Sequence, residues 1–272
     1  MNLKQISIIG SGWLGTPLAV KLLSQGYTVK SSTTSSNKTA ELKKQGLTPY
    51  VFTLGNPDKD EVIPDFLNSS DIIIINFPPK RIPNIETVYV NQVSAILPYL
   101  NPKQNVLFIS STSVYQNNNN WVKEDMVVAP EKKSGEAVYA VEKLLRDTLK
   151  ERLTILRFSG LIGYDRLPGR FLANKTNIAN GKAPINVIHR DDCIGLINAI
   201  IKQNCWGEVI NGSTDEHPLR EDFYTLAAEK IGLTPPTFLK QENILFKKVC
   251  NTKSKTLLNY KYQHPDPLKL IA

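Results

Sequence analysis

The stretch KQISIIGSGWLGTPLAVKLLSQG, residues 4–26, constrains this chain more than any other. Ile6, Ile8 and Ile9 make a short apolar run stopped by a glycine, the pattern of a strand buried in a parallel sheet. Gly10, Gly12 and Gly15 then spell G-x-G-x-x-G, and Leu14, Leu18, Leu22 and Leu23 follow at helical spacing. Between a strand and a helix each glycine has a physical task. The first makes the tight turn, the second lets a pyrophosphate approach the backbone, and the third lets the helix pack on the strand. The amides at the helix N-terminus add an anion site. Gly10, Ser11, Gly12, Trp13, Leu14 and Gly15 are therefore candidate dinucleotide ligands. The alternative is a plain strand–turn–helix unit, because glycines also punctuate ordinary turns.

Residues 26–30 read as a second strand, which leads into SSTTSSNK at 31–38. NAD-binding units usually carry an acid here for the ribose 2′-hydroxyl. This chain has none. Hydroxyls and a lysine suit a 2′-phosphate, which a carboxylate would repel, so Thr33, Thr34 and Lys38 point to NADP ahead of NAD. The same loop suits capping of a helix at 39–45.

Further strands are expected near 49–54 and over DIIIINF at 71–77, the latter bounded by Ser69-Ser70 and Pro78-Pro79. In a doubly wound sheet the carboxyl end of such a strand faces the ligand crevice, which makes Asn76, Phe77 and Pro78 candidate cofactor neighbours. A loop simply stopped by two prolines is the other reading. A helix at 88–100, a strand at 105–110, a helix at 135–152 and a strand at 153–158 continue the alternation. Four asparagines at 117–120 read as a mobile loop. The alternation predicts an α/β fold, a Rossmann-like doubly wound and mostly parallel sheet. Residues 1–165 form the dinucleotide-binding domain, with part of the later chain returning to it. Residues 166–272 form a smaller substrate-side portion that includes a helix at 219–231, and its return to the sheet leaves a cleft for substrate.

Composition narrows the classes. With 272 residues the chain can bury a sizeable core. Its net charge of +8 invites a nucleic-acid reading. The lysines are scattered, however, and no nucleic-acid module is present, so a basic surface that attracts anionic small molecules is preferred. Three widely spaced cysteines suggest a reducing compartment and no disulfide framework. No stretch approaches eighteen apolar residues and no signal peptide is read, so a cytoplasmic protein without membrane contact is expected. Oligomeric state is not legible. The three histidines, His189, His217 and His264, stand at no ligand spacing, so no metal site is expected.

The 105–110 strand runs into Ser110, Ser111, Thr112, Ser113 and Tyr115. With G-x-G-W-L-G at 10–15, R-x-x-G-x-x-G at 157–163, PGRF at 168–171, NVIHRDD at 186–192, EVING at 208–212 and YQHPDP at 262–267, the chain resembles the NAD(P)-dependent epimerase/dehydratase family of extended, atypical short-chain dehydrogenases/reductases. It is most similar to the small YeeZ-like subgroup. The resemblance spans nearly the whole chain. It implies that Ser111 binds the reacting oxygen and that a Tyr-x-x-x-Lys helix supplies the acid/base, its lysine tuning the tyrosine by proximity. Tyr139 and Lys143 have that spacing.

Register complicates this assignment. In such relatives the tyrosine follows a proline by four residues, precedes a glycine, and stands eight residues before a glutamate. Pro130, Gly135 and Glu142 satisfy all three relations for Ser134, which puts Val138 at the lysine position. Tyr139 and Lys143, five residues on, are turned about 140° around the helix. An i, i+4 surface pairing also explains them. Tyr115 offers a second phenol or a packed aromatic.

The resemblance makes His189 architectural, with Asp191 or Asp192 capping the following helix. Arg157, a charge on a strand that needs a partner, and Arg170, after the Pro-Gly loop, are the substrate candidates. Two functions stay open. One is an oxidoreductase or epimerase-like enzyme acting on a small polar, sugar-derived substrate. The other is an NADP-binding sensor without turnover. A hydroxyacid-type dehydrogenase is a third and weaker reading.

Overall fold

In a computed structural model, which describes residues 4–55 and 61–271, the chain alternates strand and helix through its first half. The strands are β1 (Gln5–Ile9), β2 (Thr28–Thr33), β3 (Thr48–Val51), β4 (Ile72–Ile75), β5 (Asn105–Ser111), β6 (Asn120–Val122), β7 (Leu153–Phe158), β8 (Gly160–Ile162), β9 (Val187–His189), β10 (Val209–Gly212) and β11 (Lys247–Val249). The helices are α1 (Gly15–Ser24), α2 (Thr39–Lys44), α3 (Val62–Leu67), α4 (Ile85–Ser94), α5 (Lys133–Leu149), α6 (Gly169–Leu172), α7 (Arg190–Gln203), α8 (Arg220–Lys230) and α9 (Thr252–Leu257). Among the described residues seven strands form one parallel sheet in the order β10-β7-β5-β4-β1-β2-β3. Strand order reverses beside β1, the switch point at which doubly wound sheets open a ligand crevice. Ile72, Ile73, Ile74 and Ile75 are all buried, and β4 lies between β1 and β5 with Ile74 opposite both Ile8 and Leu107. A strand covered on both faces has no use for alternation, which is why this run is apolar throughout.

Two compact units divide the chain. The first comprises Met1–Val114, Ala129–Leu156 and Ile200–Val209. The second comprises Tyr115–Val128, Arg157–Ala199 and Ile210–Ala272. Within the second unit β8 pairs with β9 and β11 with β6, both in parallel. Its core gathers Ile162, Ile185, Val187, Phe223, Ala227 and Ile271. Gly169 brings α6 against α8 there, because a Cβ on it would lie 2.2 Å from the Ala227 carbonyl oxygen.

Several boundaries differ from expectation for local reasons. β2 runs on to Thr33, which pairs with Val51, so part of the hydroxyl-rich stretch is strand. The helix expected at 88–100 starts earlier, after Asn84 in the left-handed region, and gives way to a 3₁₀ turn at Leu97–Tyr99 that holds Pro98. A helix interior cannot take that proline without losing a hydrogen bond. The asparagine run is not a free loop. Asn119, with φ of 57°, exchanges two hydrogen bonds with the Phe246 backbone, and Asn120 opens β6. Asp192 does not cap α7. Its fully buried carboxylate accepts hydrogen bonds from the Gln263 and His264 amides and the Tyr260 hydroxyl. Among the described residues no helix is long and apolar enough to cross a membrane.

Candidate functional site

The glycine turn between β1 and α1 is built as its spacing requires. Gly10 has φ of 106°, and a Cβ there would sit 2.5 Å from the Asn76 carbonyl oxygen. A Cβ on Gly15 would sit 2.1 Å from the Gly10 carbonyl oxygen, so this glycine is what lets α1 start against the turn. Gly12 differs from both. Among the described residues a Cβ there meets nothing within 4 Å, and the space over its backbone is open. No side chain caps α1 and no acid lies in its first turn, so the positive end of the helix is not offset from within.

Neighbouring segments hold the turn in place. The Ser11 amide donates to the Ser32 carbonyl at 2.8 Å and the Gly10 amide to Ser32 Oγ at 3.0 Å. The Ser11 and Ser31 hydroxyls bond one another. Asn76 follows β4 and donates from Nδ2 to the Gly10 carbonyl at 3.0 Å, while the Tyr89 hydroxyl holds the Phe77 carbonyl at 2.7 Å. A cavity of about 340 Å³ opens beside these segments. Gly10, Ser11, Gly12, Thr33, Thr34, Lys38, Asn76, Phe77 and Pro78 line it. Trp13, Leu14 and Gly15 belong to the turn itself, the last two buried. Ser32, from the same hydroxyl-rich stretch, also lines it, and sequence reasoning missed Phe52, Leu54 and Lys80, which do so too. Phe52 and Leu54 follow the short β3, and no motif marks them.

Ser111 closes β5, half-buried, and its Oγ accepts the Ser113 amide at 3.1 Å. The preceding Ser110 is buried and donates to the fully buried Glu142 carboxylate at 2.6 Å, which ties α5 to β5. Gly135 brings the start of α5 close to the turn after Ser111, since a Cβ there would lie 2.6 Å from the Ser113 carbonyl oxygen. On α5, Ser134 is exposed and Val138 buried, while Tyr139 is half-buried and Lys143 exposed. The Lys143 ammonium lies 5.2 Å from the Tyr139 ring centroid.

Arg157 and Arg170 lie in the second unit. Arg157 is 0 % exposed and donates to the Tyr115 hydroxyl at 2.7 Å. That hydroxyl in turn donates to Asn211 Oδ1 at 2.9 Å. This is the partner that a charge on a buried strand requires. Arg157, expected to contact substrate, is fully buried here and bonded within the framework. Burial pushes the Tyr115 phenol up, an effect that Arg157 only partly offsets. With its hydroxyl engaged on both sides, Tyr115 is a packed aromatic. Arg170 is exposed on α6. His189 is buried, and burial followed by the neighbouring His264 lowers its pKa.

Comparison with known proteins gives this geometry a lineage. Protein YeeZ of Escherichia coli (strain K12) is 32 % identical over 279 residues, covering 98 % of each chain. The chain belongs to the YeeZ family. Residues 5–127 also match the family described as the NAD binding domain of 6-phosphogluconate dehydrogenase. Among solved structures, a short-chain dehydrogenase/reductase superfamily protein from Agrobacterium tumefaciens with bound NAD superposes with a TM-score of 0.76. It is 17 % identical, and 95 % of this chain covers 92 % of that one. UDP-glucuronic acid 4-epimerase from Bacillus cereus, in complex with UDP-glucuronic acid and NAD, gives 0.73 at 21 % identity, with 95 % and 94 % covered. This YeeZ-family chain therefore has the NAD-binding, epimerase/dehydratase type of fold.

Proposed function

We propose that this YeeZ-family chain is an NADP-dependent oxidoreductase or epimerase-like enzyme that acts on a small polar, sugar-derived substrate. One observation carries the reading: the backbone over Gly12 is open, at the uncapped start of α1, beside a cavity that also takes in Thr33, Thr34, Lys38 and Asn76. That cradle fits a pyrophosphate, which a side chain at Gly12 would displace. Thr33, Thr34 and Lys38 hold the ribose end, and the Lys38 ammonium favours a 2′-phosphate where an acid would repel it. When bound, the nicotinamide accepts or supplies hydride at a substrate carbon. Ser111 donates a hydrogen bond to the reacting oxygen, and Tyr139, with Lys143 over its ring, moves the proton. Arg170, exposed on α6, is the substrate's anion ligand. A sugar-derived substrate is supported by the fold shared with the Bacillus cereus epimerase, and the net charge of +8 favours anionic ligands. Three free cysteines suit a cytoplasmic protein.

Fluorescence titration with NADPH and NADH tests the binding step. NADPH is expected to bind at least about tenfold more tightly, roughly one favourable ion contact, and Lys38→Glu to erase that preference. If neither nucleotide saturates the protein, the reading fails. Turnover is tested with UDP-sugars and small sugar carbonyls, where Ser111→Ala is expected to cut the rate by about 100-fold.

A second reading, an NADP-binding regulator without turnover, has an observation of its own. Gly135 packs on the Ser113 carbonyl and Glu142 bonds Ser110, and these are two of the three residues whose spacing gives Ser134 and Val138 the family's tyrosine and lysine positions. In that case Tyr139→Phe leaves nucleotide affinity unchanged and no substrate supports multiple turnover. Loss of an observed turnover in Tyr139→Phe decides for the enzyme.

A further inference from the structure

We infer that His189, Asp191 and His264 form a zinc(II) site in the second unit. The three side chains bring one ligand atom each within 4.8 Å of one another. Asp191 Oδ2 lies 3.4 Å from His189 Nδ1 and 3.4 Å from His264 Nε2. Ligand atoms bound tetrahedrally at zinc distances of about 2.0–2.1 Å stand about 3.3–3.4 Å apart, so two edges of the triangle already have the required length. Two imidazoles and one carboxylate are also a donor set that zinc accepts, with the fourth position left to water. Its nitrogen content disfavours magnesium and calcium.

Each ligand is held from behind by a separate device. The His189 ring is packed on Gly163, whose φ is 114° and on which a Cβ would lie 2.3 Å from Nε2. That nitrogen edge faces backbone, and Nδ1 is left on the side of Asp191. Nδ1 meets the Asp191 amide at 3.3 Å, a long contact that a metal would replace. The Asp191 carboxylate is oriented by the Tyr164 hydroxyl, which donates to Oδ1 at 2.8 Å and leaves Oδ2 to the histidines. His264 is placed by the buried Asp192, which takes the Gln263 amide at 2.7 Å and the His264 amide at 3.0 Å. Ligands fixed from outside the coordination sphere are what separates a prepared site from a chance cluster. The opposing charge is Arg190, whose guanidinium stacks 3.8 Å from the Tyr164 ring centroid. Asp191 offsets that charge and the positive end of α7. The bound ion would clip the start of α7 to the segment at 260–264, independently of the dinucleotide.

The test uses the untagged full-length protein, stripped with chelator and titrated with zinc against a chromophoric competitor. One ion per chain is expected, with a cobalt(II) form showing the intense visible bands of tetrahedral coordination. His264→Ala, at a partly exposed position, is expected to weaken binding at least 100-fold and to abolish the cobalt bands. Tyr164→Phe keeps the ring and removes the hydroxyl that orients Asp191, along with that hydroxyl's interaction with Arg190, and is expected to weaken binding about tenfold. Zinc affinity that is unchanged in both variants, or absent from the parent protein, overturns the site.

Discussion

Gly10 and Gly12 stand two residues apart and answer to different constraints. At Gly10 the positive φ and the Asn76 carbonyl at 2.5 Å exclude a side chain on grounds of folding. At Gly12 the φ lies outside the left-handed region and, among the described residues, an added Cβ meets nothing within 4 Å, so neither strain nor packing excludes one. Gly10→Ala is therefore expected to cost about 2 kcal/mol or more of stability through strain and clash. Gly12→Val is expected to leave the melting temperature within a degree or two and to weaken NADPH binding at least about 100-fold. Thermal melts paired with nucleotide titrations read both. If Gly12→Val binds normally, the pyrophosphate does not lie over this turn.

Among elements, β7 carries the most consequential internal bond. Arg157 sits fully buried on it, and the Tyr115 hydroxyl stands between the guanidinium and Asn211. Tyr115→Phe removes the hydroxyl that joins two buried polar groups, taking one hydrogen bond each from Arg157 Nη1 and Asn211 Oδ1. A loss of about 2–4 kcal/mol is expected by chemical denaturation, with no vacant volume to account for it. A change below about 0.5 kcal/mol would mean that water or another donor replaces the phenol. α5 shows the same economy of connection. Ser110 and Glu142 fix its rotation against β5, and with it the question of which residue faces Ser111. The spacing Tyr-x-x-x-Lys is visible at 139–143, but rotation depends on contacts made by Gly135 and Glu142.

For the whole molecule, acid sensitivity has an assignable part. His217 is half-buried, and burial, with a smaller contribution from Lys248, holds its pKa below the ordinary 6.5; the Ile185 carbonyl, Glu216 and Asp215 pull the other way. As pH falls, the unfolded chain takes this proton before the folded one. The stability that goes with the neutral ring is thus complete above about pH 6.5 and is lost as pH falls through the folded value. His217→Gln is expected to flatten melting temperature against pH between about 7 and 5. An unchanged slope would assign the acid sensitivity to other groups.

Local spacing carried the first part of the fold. Glycines two and three residues apart and leucines at helical intervals are read by the backbone within a few residues, so β1, the turn and α1 follow from residues 4–26 alone. The isoleucine run of β4 is just as local. Thr33, Thr34 and Lys38, marked by the hydroxyl-rich stretch at 31–38, line one cavity with the glycine turn. Distance along the chain hid the rest. Phe52 and Lys80 meet Gly12 at one cavity because β3, β2, β1 and β4 stand side by side in the sheet. Arg157 finds Tyr115 across 42 residues, and Asp191 reaches His264 across 73, so no spacing rule for metal ligands or buried pairs could see either. A short-range pattern is settled by φ, ψ and periodicity. A long-range contact exists only once parallel pairing and crossover connections have brought its two ends together, and that is a property of the folded chain.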